Sequence, residues 1–180
     1  MSADEPDKES SGAPIMDQET YELAQELFQL VRVGADVPRL AKLLEMGLAP
    51  NIRDGKGDSL LMLASYHGHH EMTRLLLEHG GDPQLANDRG QIPLAGAAFK
   101  GDTAIARLLI EHCAQVNART PDGKTPLMFA AMFNRTEIID LLLAHGADPA
   151  LQTDEGVTAL GLAQAMGAQA AAARLVQAAN

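Results

Sequence analysis

The sequence predicts an all-α solenoid, a short row of helical hairpins stacked side by side. Three observations predict it. Four glycines, Gly57, Gly90, Gly123 and Gly156, stand 33 residues apart. Leu61, Leu94, Leu127 and Leu160 repeat in the same register, and nineteen residues after each glycine come Leu76, Leu109, Leu142 and Leu175. Within one period the apolar residues fall at helical spacing twice, with a helix breaker between. Repetition at this length marks units that contact only their neighbours. Such a stack offers a long surface for gripping another molecule and does not by itself enclose a reaction chamber.

The elements follow in order. Residues 1–16, MSADEPDKESSGAPIM, are rich in Asp, Glu, Ser and Pro and read as a disordered acidic tail. They lack the positive and apolar regions of a secretory signal, so a reducing cytoplasm is the expected location. From Asp17 the pattern changes. Leu23/Ala24, Leu27 and Leu30/Val31 recur at helical spacing, with Asp17 and Glu19 placed for a helix start. Val37 to Met46 reads as a second helix ended by Gly47. Residues 17–53 form an irregular N-terminal cap. Three repeats follow at 54–86, 87–119 and 120–152, with a C-terminal cap at 153–180 that completes a domain spanning 17–180.

The clearest copy reads TPDGKTPLMFAAMFNRTEIIDLLLAHGADPALQ. Thr125 can cap a helix, and Pro126 takes the first helical position, where its missing N–H costs nothing. Leu127, Ala130 and Ala131 give this helix a narrow apolar face. Asn134 breaks it, a residue that tolerates left-handed backbone; Gly68, Gly101 and Gly167 are its equivalents. Ile138, Leu141 and Leu142 line the second helix. Gly146 closes it, and Pro149 lies just beyond. Terminal units have one neighbour and need a polar outer side. Where the repeats carry Leu75, Leu108 and Leu141, the first unit has Lys42 and the last Arg174. The last unit thins to Ala170–Ala173, so a fraying C-terminus is expected.

These residues resemble the ankyrin repeat, over roughly residues 20–180. DGKTPLMFAA, GHHEMTRLLLEHGGDP and LLLAHGADP carry the likeness. The resemblance implies a stack of about five units, each a helix pair followed by a β-turn or hairpin finger. The family's usual TPLH has its His replaced by Met62, Ala95, Met128 and Gly161, and its Thr by Ser59 and Ile92 in two copies. Those two copies are expected to lose turn-steadying hydrogen bonds, each worth about 0.5–1.5 kcal/mol.

Composition bounds the function. The net charge of −10 disfavours nucleic acid, whose phosphates need clustered Lys and Arg, and favours a basic protein partner. No apolar run approaches the roughly 18–20 residues that span a bilayer. Cys113 is the single cysteine, so neither an internal disulfide nor a four-thiolate zinc site can form. No phosphate loop, HEXXH pair or nucleophile elbow occurs. The turns around Asp54, Asp122 and Asp154 lack the acidic run of a calcium loop.

The histidines are the remaining candidates for chemistry. His79, His112 and His145 recur at the period of 33, each just before a helix end. Stacked helices lie about 8–10 Å apart, too far for two rungs to share one zinc. These histidines read as donors to the last carbonyls of each helix. His67, His69 and His70 flank Gly68 in a turn, and the resemblance gives His69 a structural role. Cys113 stands where other copies have Gly80 and Gly146. Left-handed backbone there would cost about 1–2 kcal/mol, so a locally altered helix end is expected. A metal- or redox-dependent enzyme built on His67, His69 and His70 or on Cys113 is the alternative reading, and a self-associating structural protein is another.

The expected function is recognition by a non-enzymatic monomer that needs no cofactor and no metal. The resemblance places two partner-facing positions per unit near the end of the first helix: Tyr66–His67, Phe99–Lys100, Met132–Phe133 and Ala165–Met166. Three of the chain's six aromatics fall there, and Met132 and Met166 join them in one expected apolar strip. The fingers, with Lys56, Asp58, Arg89, Gln91, Lys124 and Glu155 among their residues, supply a variable polar rim. The role expected is that of an adaptor, an inhibitor, or an immunity or chaperone-like protein.

Overall fold

The structure is a computed structural model that describes residues 18–178. The expected tail of residues 1–16 and the start signal at Asp17 lie outside the described residues. Among the described residues ten helices form five hairpins: α1 (Gln18–Val33) with α2 (Val37–Glu45), α3 (Leu60–Tyr66) with α4 (His70–Glu78), α5 (Pro93–Lys100) with α6 (Thr103–Glu111), α7 (Pro126–Met132) with α8 (Thr136–Ala144), and α9 (Ala159–Ala165) with α10 (Gln169–Ala178). The odd-numbered helices form one row, each touching the next, and the even-numbered helices form a second row.

Burial explains the rows. Leu61, Leu94 and Leu127 of the first row and Leu76, Leu109, Leu142 and Leu175 of the second are at most 2% exposed. Each contributes about 1.5–3 kcal/mol by leaving water. Ala97, Ala98, Ala130 and Ala131 are fully buried between them, and side chains this small let the short helices approach closely. Leu160, in the register of Leu61 and Leu127, is only half-buried because the last hairpin has one neighbour.

The first helices are capped by hydroxyls. Ser59, Thr125 and Thr158 accept from the backbone N–H groups of Met62, Met128 and Gly161 at 3.0, 3.4 and 3.2 Å. The bond expected to be lost at Ser59 is therefore present, since a serine hydroxyl caps as well as a threonine's. At Ile92 it is absent, and that side chain is buried instead.

The turns inside the hairpins use left-handed backbone at Gly68, Gly101, Asn134 and Gly167, as the period predicts. The fingers between hairpins close on the periodic glycines. Asp54, Asn87, Thr120 and Thr153 each donate a backbone N–H to the carbonyl four residues on, at 2.9 Å. Gly57, Gly90, Gly123 and Gly156 complete these turns at φ 72–80°. Arg53 reaches from the first finger to the Ala86 carbonyl at 3.0 Å, and Arg119 reaches the Gln152 carbonyl at 2.8 Å.

Two expectations change. Cys113 does not alter its helix end. It adopts φ 67°, and its N–H reaches the Ile110 carbonyl at 3.0 Å, as Gly80 and Gly146 reach Leu77 and Leu143 at 3.1 Å. The neighbouring N–H of Ala114 still bonds Leu109, so the helix-ending pattern outweighs the Cβ strain. The N-terminal end is also less polar than expected. Lys42 is exposed, but Leu23, Leu27, Leu43, Leu48 and Ile52 line an apolar hollow of about 460 Å³ there. At the other end α10 is helical to Ala178, held by buried Ala171 and Leu175, and its run of alanines has high helix propensity.

Replacing Cys113 with Gly removes the strain at a small cost in unfolded-state entropy. Cys113→Gly is expected to raise the unfolding free energy by about 0.5–1 kcal/mol in urea titration. A lower midpoint would contradict the strained assignment.

Candidate protein interface

The ends of the first-row helices meet the fingers along one face. There α3, α5 and α7 end in Tyr66, in Phe99 and Lys100, and in Met132, with Phe133 capping α7. Phe99 and Phe133 pack edge to face, their ring centroids 4.5 Å apart. The Lys100 ammonium lies 4.5 Å from the centre of the Tyr66 ring, a cation–π contact.

Between these side chains lies a recess of about 300 Å³. Tyr66, Phe99, Met132 and Phe133 line it, together with Met62, Ile92 and Phe129, and Lys124 and Gln91 stand among the lining residues. Gly96 of α5 also lines it. That position carries Leu63, Phe129 and Leu162 in the other units. A Cβ built at Gly96 would come no closer than 3.4 Å to its surroundings, touching Tyr66. The fold therefore leaves room for a methyl group, and mid-helix glycine costs about 0.5–1 kcal/mol against alanine. The absence of a side chain at Gly96 leaves more of this recess open.

The structure separates the other expected residues. His67 and Arg89 line an adjoining recess of about 270 Å³ that shares Tyr66, Met62 and Gln91 with the first. Lys100 and His67 border a shallow hollow at the hairpin turn. Lys124 is half-buried and ion-paired to Asp122, and the Lys124 and Thr120 hydrogen bonds hold the Asp122 carboxyl below its usual range. Met166 is 55% exposed and stands outside the recess. Sequence reasoning missed Met62, Phe129 and Gly96. Gly96 left one trace, a small residue in a large-residue register.

The histidine ladder serves backbone carbonyls. His79, His112 and His145 donate from Nδ1 to Leu75, Leu108 and Leu141 at 2.8, 2.9 and 2.8 Å. His69 Nε2 donates to the Arg32 carbonyl at 2.9 Å and ties the second hairpin to α1. His70 Nε2 meets the Asp102 carboxylate at 2.8 Å on the next hairpin. His67 stacks on His69, with ring centroids 6.0 Å apart. Among the described residues no three His, Cys, Asp or Glu side chains gather as a metal-binding group. No described helix is long and apolar enough to cross a membrane.

This is the architecture of a tandem helix-hairpin binding module. The sequence model of ankyrin repeats in three copies matches residues 27–120 and 94–180. The chain belongs to the ankyrin repeat family, whose members generally serve as protein–protein interaction modules. A putative ankyrin repeat protein of Pseudomonas aeruginosa is 55% identical over 65 residues, 36% of this chain and 37% of that protein. The match thus spans little more than a third of that relative's length.

His67 has its pKa lowered from the ordinary value of about 6.5, first by burial and then by the charges of His69, Lys100 and Arg32, with Asp58 opposing. The unfolded chain therefore takes up this proton at higher pH than the folded chain does. Stability at neutral pH is expected to fall as pH drops through about 6.5, and to level off below the lowered folded value. In His67→Gln that share of the slope disappears from the pH series of urea midpoints; an unchanged slope would contradict it.

Proposed function

We propose that the chain is a non-enzymatic recognition protein that holds a partner protein against the Tyr66–Phe99–Phe133 face. It acts as a monomeric adaptor or inhibitor, and an immunity or chaperone-like role toward the bound partner belongs to the same reading. A cytoplasmic setting suits its unpaired Cys113, which is exposed.

The recess at Gly96 carries this reading. A helix interior that would be more stable with alanine has glycine, and the space so opened is lined by aromatic and Met side chains. Apolar pockets of this kind receive the anchor residues that dominate interface energies. A fold optimised for stability alone would carry a larger side chain here, as the other units do with Leu63, Phe129 and Leu162. Tyr66 is 39% exposed and Phe99 and Phe133 are half-buried, so all three can contribute area to an arriving side chain.

The test separates folding from recognition. Gly96→Ala is expected to stabilise the chain by about 0.5–1 kcal/mol. Gly96→Leu fills the recess and is expected to abolish partner capture in a pull-down with native-source extract, while the thermal midpoint holds or rises. Tyr66→Ala, Phe99→Ala and Phe133→Ala are each expected to weaken capture by about 1–2 kcal/mol or more. Capture undiminished by Gly96→Leu and by all three alanine variants would overturn the reading.

A further inference from the structure

The chain is acidic overall, yet the face that carries the recess is not. Lys56 and Arg89, on two fingers, line the recess that adjoins the one at Gly96, and Lys100, at the end of α5, lines the shallow hollow that shares Tyr66 and His67 with it. Among the described residues no carboxylate lies within 4.0 Å of their charged ends. Of the other described cations, Lys42, Arg74, Arg107 and Arg135 also have no carboxylate within that distance, but none of them lines either recess, and the rest are paired. Arg53 bonds Asp88, Arg119 bonds Asp154, Arg174 bonds Asp140, and Arg32 and Lys124 pair with Asp54 and Asp122. Among the described residues Asp58 is the single acid lining the Lys56–Arg89 recess, and its carboxylate already accepts from Asn87 Nδ2 at 2.8 Å; the hollow at Lys100 also carries Asp102, held by His70 at 2.8 Å, and Glu137, which accepts from the Thr103 hydroxyl at 3.4 Å.

We infer that this face takes an acidic segment of a protein partner, one whose Asp and Glu side chains meet Lys56, Arg89 and Lys100 while an apolar residue enters the recess at Gly96. The inference rests on the recognition reading above and names the chemistry of its partner. It reverses the basic partner suggested by the net charge of −10. That sum mixes faces that point in different directions, whereas a docking segment responds to the charges within about 8–10 Å of it at ordinary salt. His67 reports the local sign: after burial, the positive charges of His69, Lys100 and Arg32 depress its pKa and Asp58 alone opposes them. The three cations are exposed and solvated, so they steer and select more than they tighten. The recess supplies the tight contact.

The probe is a phage-displayed library of short random peptides, panned on the full chain at low salt and again at high salt. Each variant is checked by circular dichroism and thermal unfolding; Lys56, Arg89 and Lys100 are exposed, so their replacement is expected to leave both unchanged. The expected pool has aromatic or Leu anchors flanked by Asp and Glu. Its peptides should lose about tenfold or more in affinity when Lys56→Glu, Arg89→Glu and Lys100→Glu are combined, and also when salt is raised. The charge-reversed chain should in turn select Lys-rich peptides. A neutral or basic pool that is lost on Gly96→Leu but indifferent to charge reversal overturns this inference and leaves the recess reading standing. A pool indifferent to both overturns both. Acidic peptides that bind only after residues 1–16 are deleted would make the chain's own acidic segment the occupant. A dimer broken by the same reversals would make it a second copy, and either result overturns the assignment to an external partner.

Discussion

Everything in this molecule depends on the inability of one hairpin to bury its own apolar face. A seven-residue helix such as α3 or α7 has too few turns to be stable alone. Leu61, Leu94 and Leu127 reach full burial only because another hairpin lies on each side. Stability is therefore a sum over neighbours, and the ends of the stack differ from its middle. Half-buried Leu160 at one end and the apolar hollow beside Leu23 and Leu43 at the other show that difference directly.

Stacking alone would allow the hairpins to slide or splay. Polar clamps at repeating positions prevent it. Asn51 bonds the Gly80 carbonyl and receives the Asp82 N–H, and Asn117 does the same to Gly146 and Asp148 two units on. Arg53 and Arg119 tie finger to finger, and His69 ties α1 to the second hairpin. Among the described residues every buried side-chain nitrogen and oxygen has a partner. These clamps fix where successive helix ends fall. Tyr66, Phe99 and Phe133, which belong to three different units, are thereby held around one recess.

The sequence reveals the framework well because period and backbone chirality are local properties. Gly57 and its equivalents repeat where left-handed turns are needed, and Asn134 substitutes for glycine as its side chain allows. The histidine ladder was readable too, since a His just before a helix end has carbonyls within reach. Cys113 was harder. Its strain argued for a changed helix end, while the neighbouring bonds that hold the standard one come from the whole turn. The recess was the least legible part. Gly96 contributes by lacking atoms, and only coordinates show that Tyr66, Phe99 and Phe133 surround the gap. The local positive charge was hidden for a related reason: composition counts Lys56 and Arg89 alongside the acids of the whole chain.

The central claim is that recognition occurs on the Gly96 recess and not on the outer helices. It is tested most directly by titrating isotope-labelled chain with its captured partner and following backbone amide shifts by NMR. The account predicts the largest changes at Tyr66, Gly96, Phe99 and Phe133 and on the neighbouring finger residues Arg89 and Gln91. Changes confined to α4, α6 and α8, with the recess silent, would contradict it.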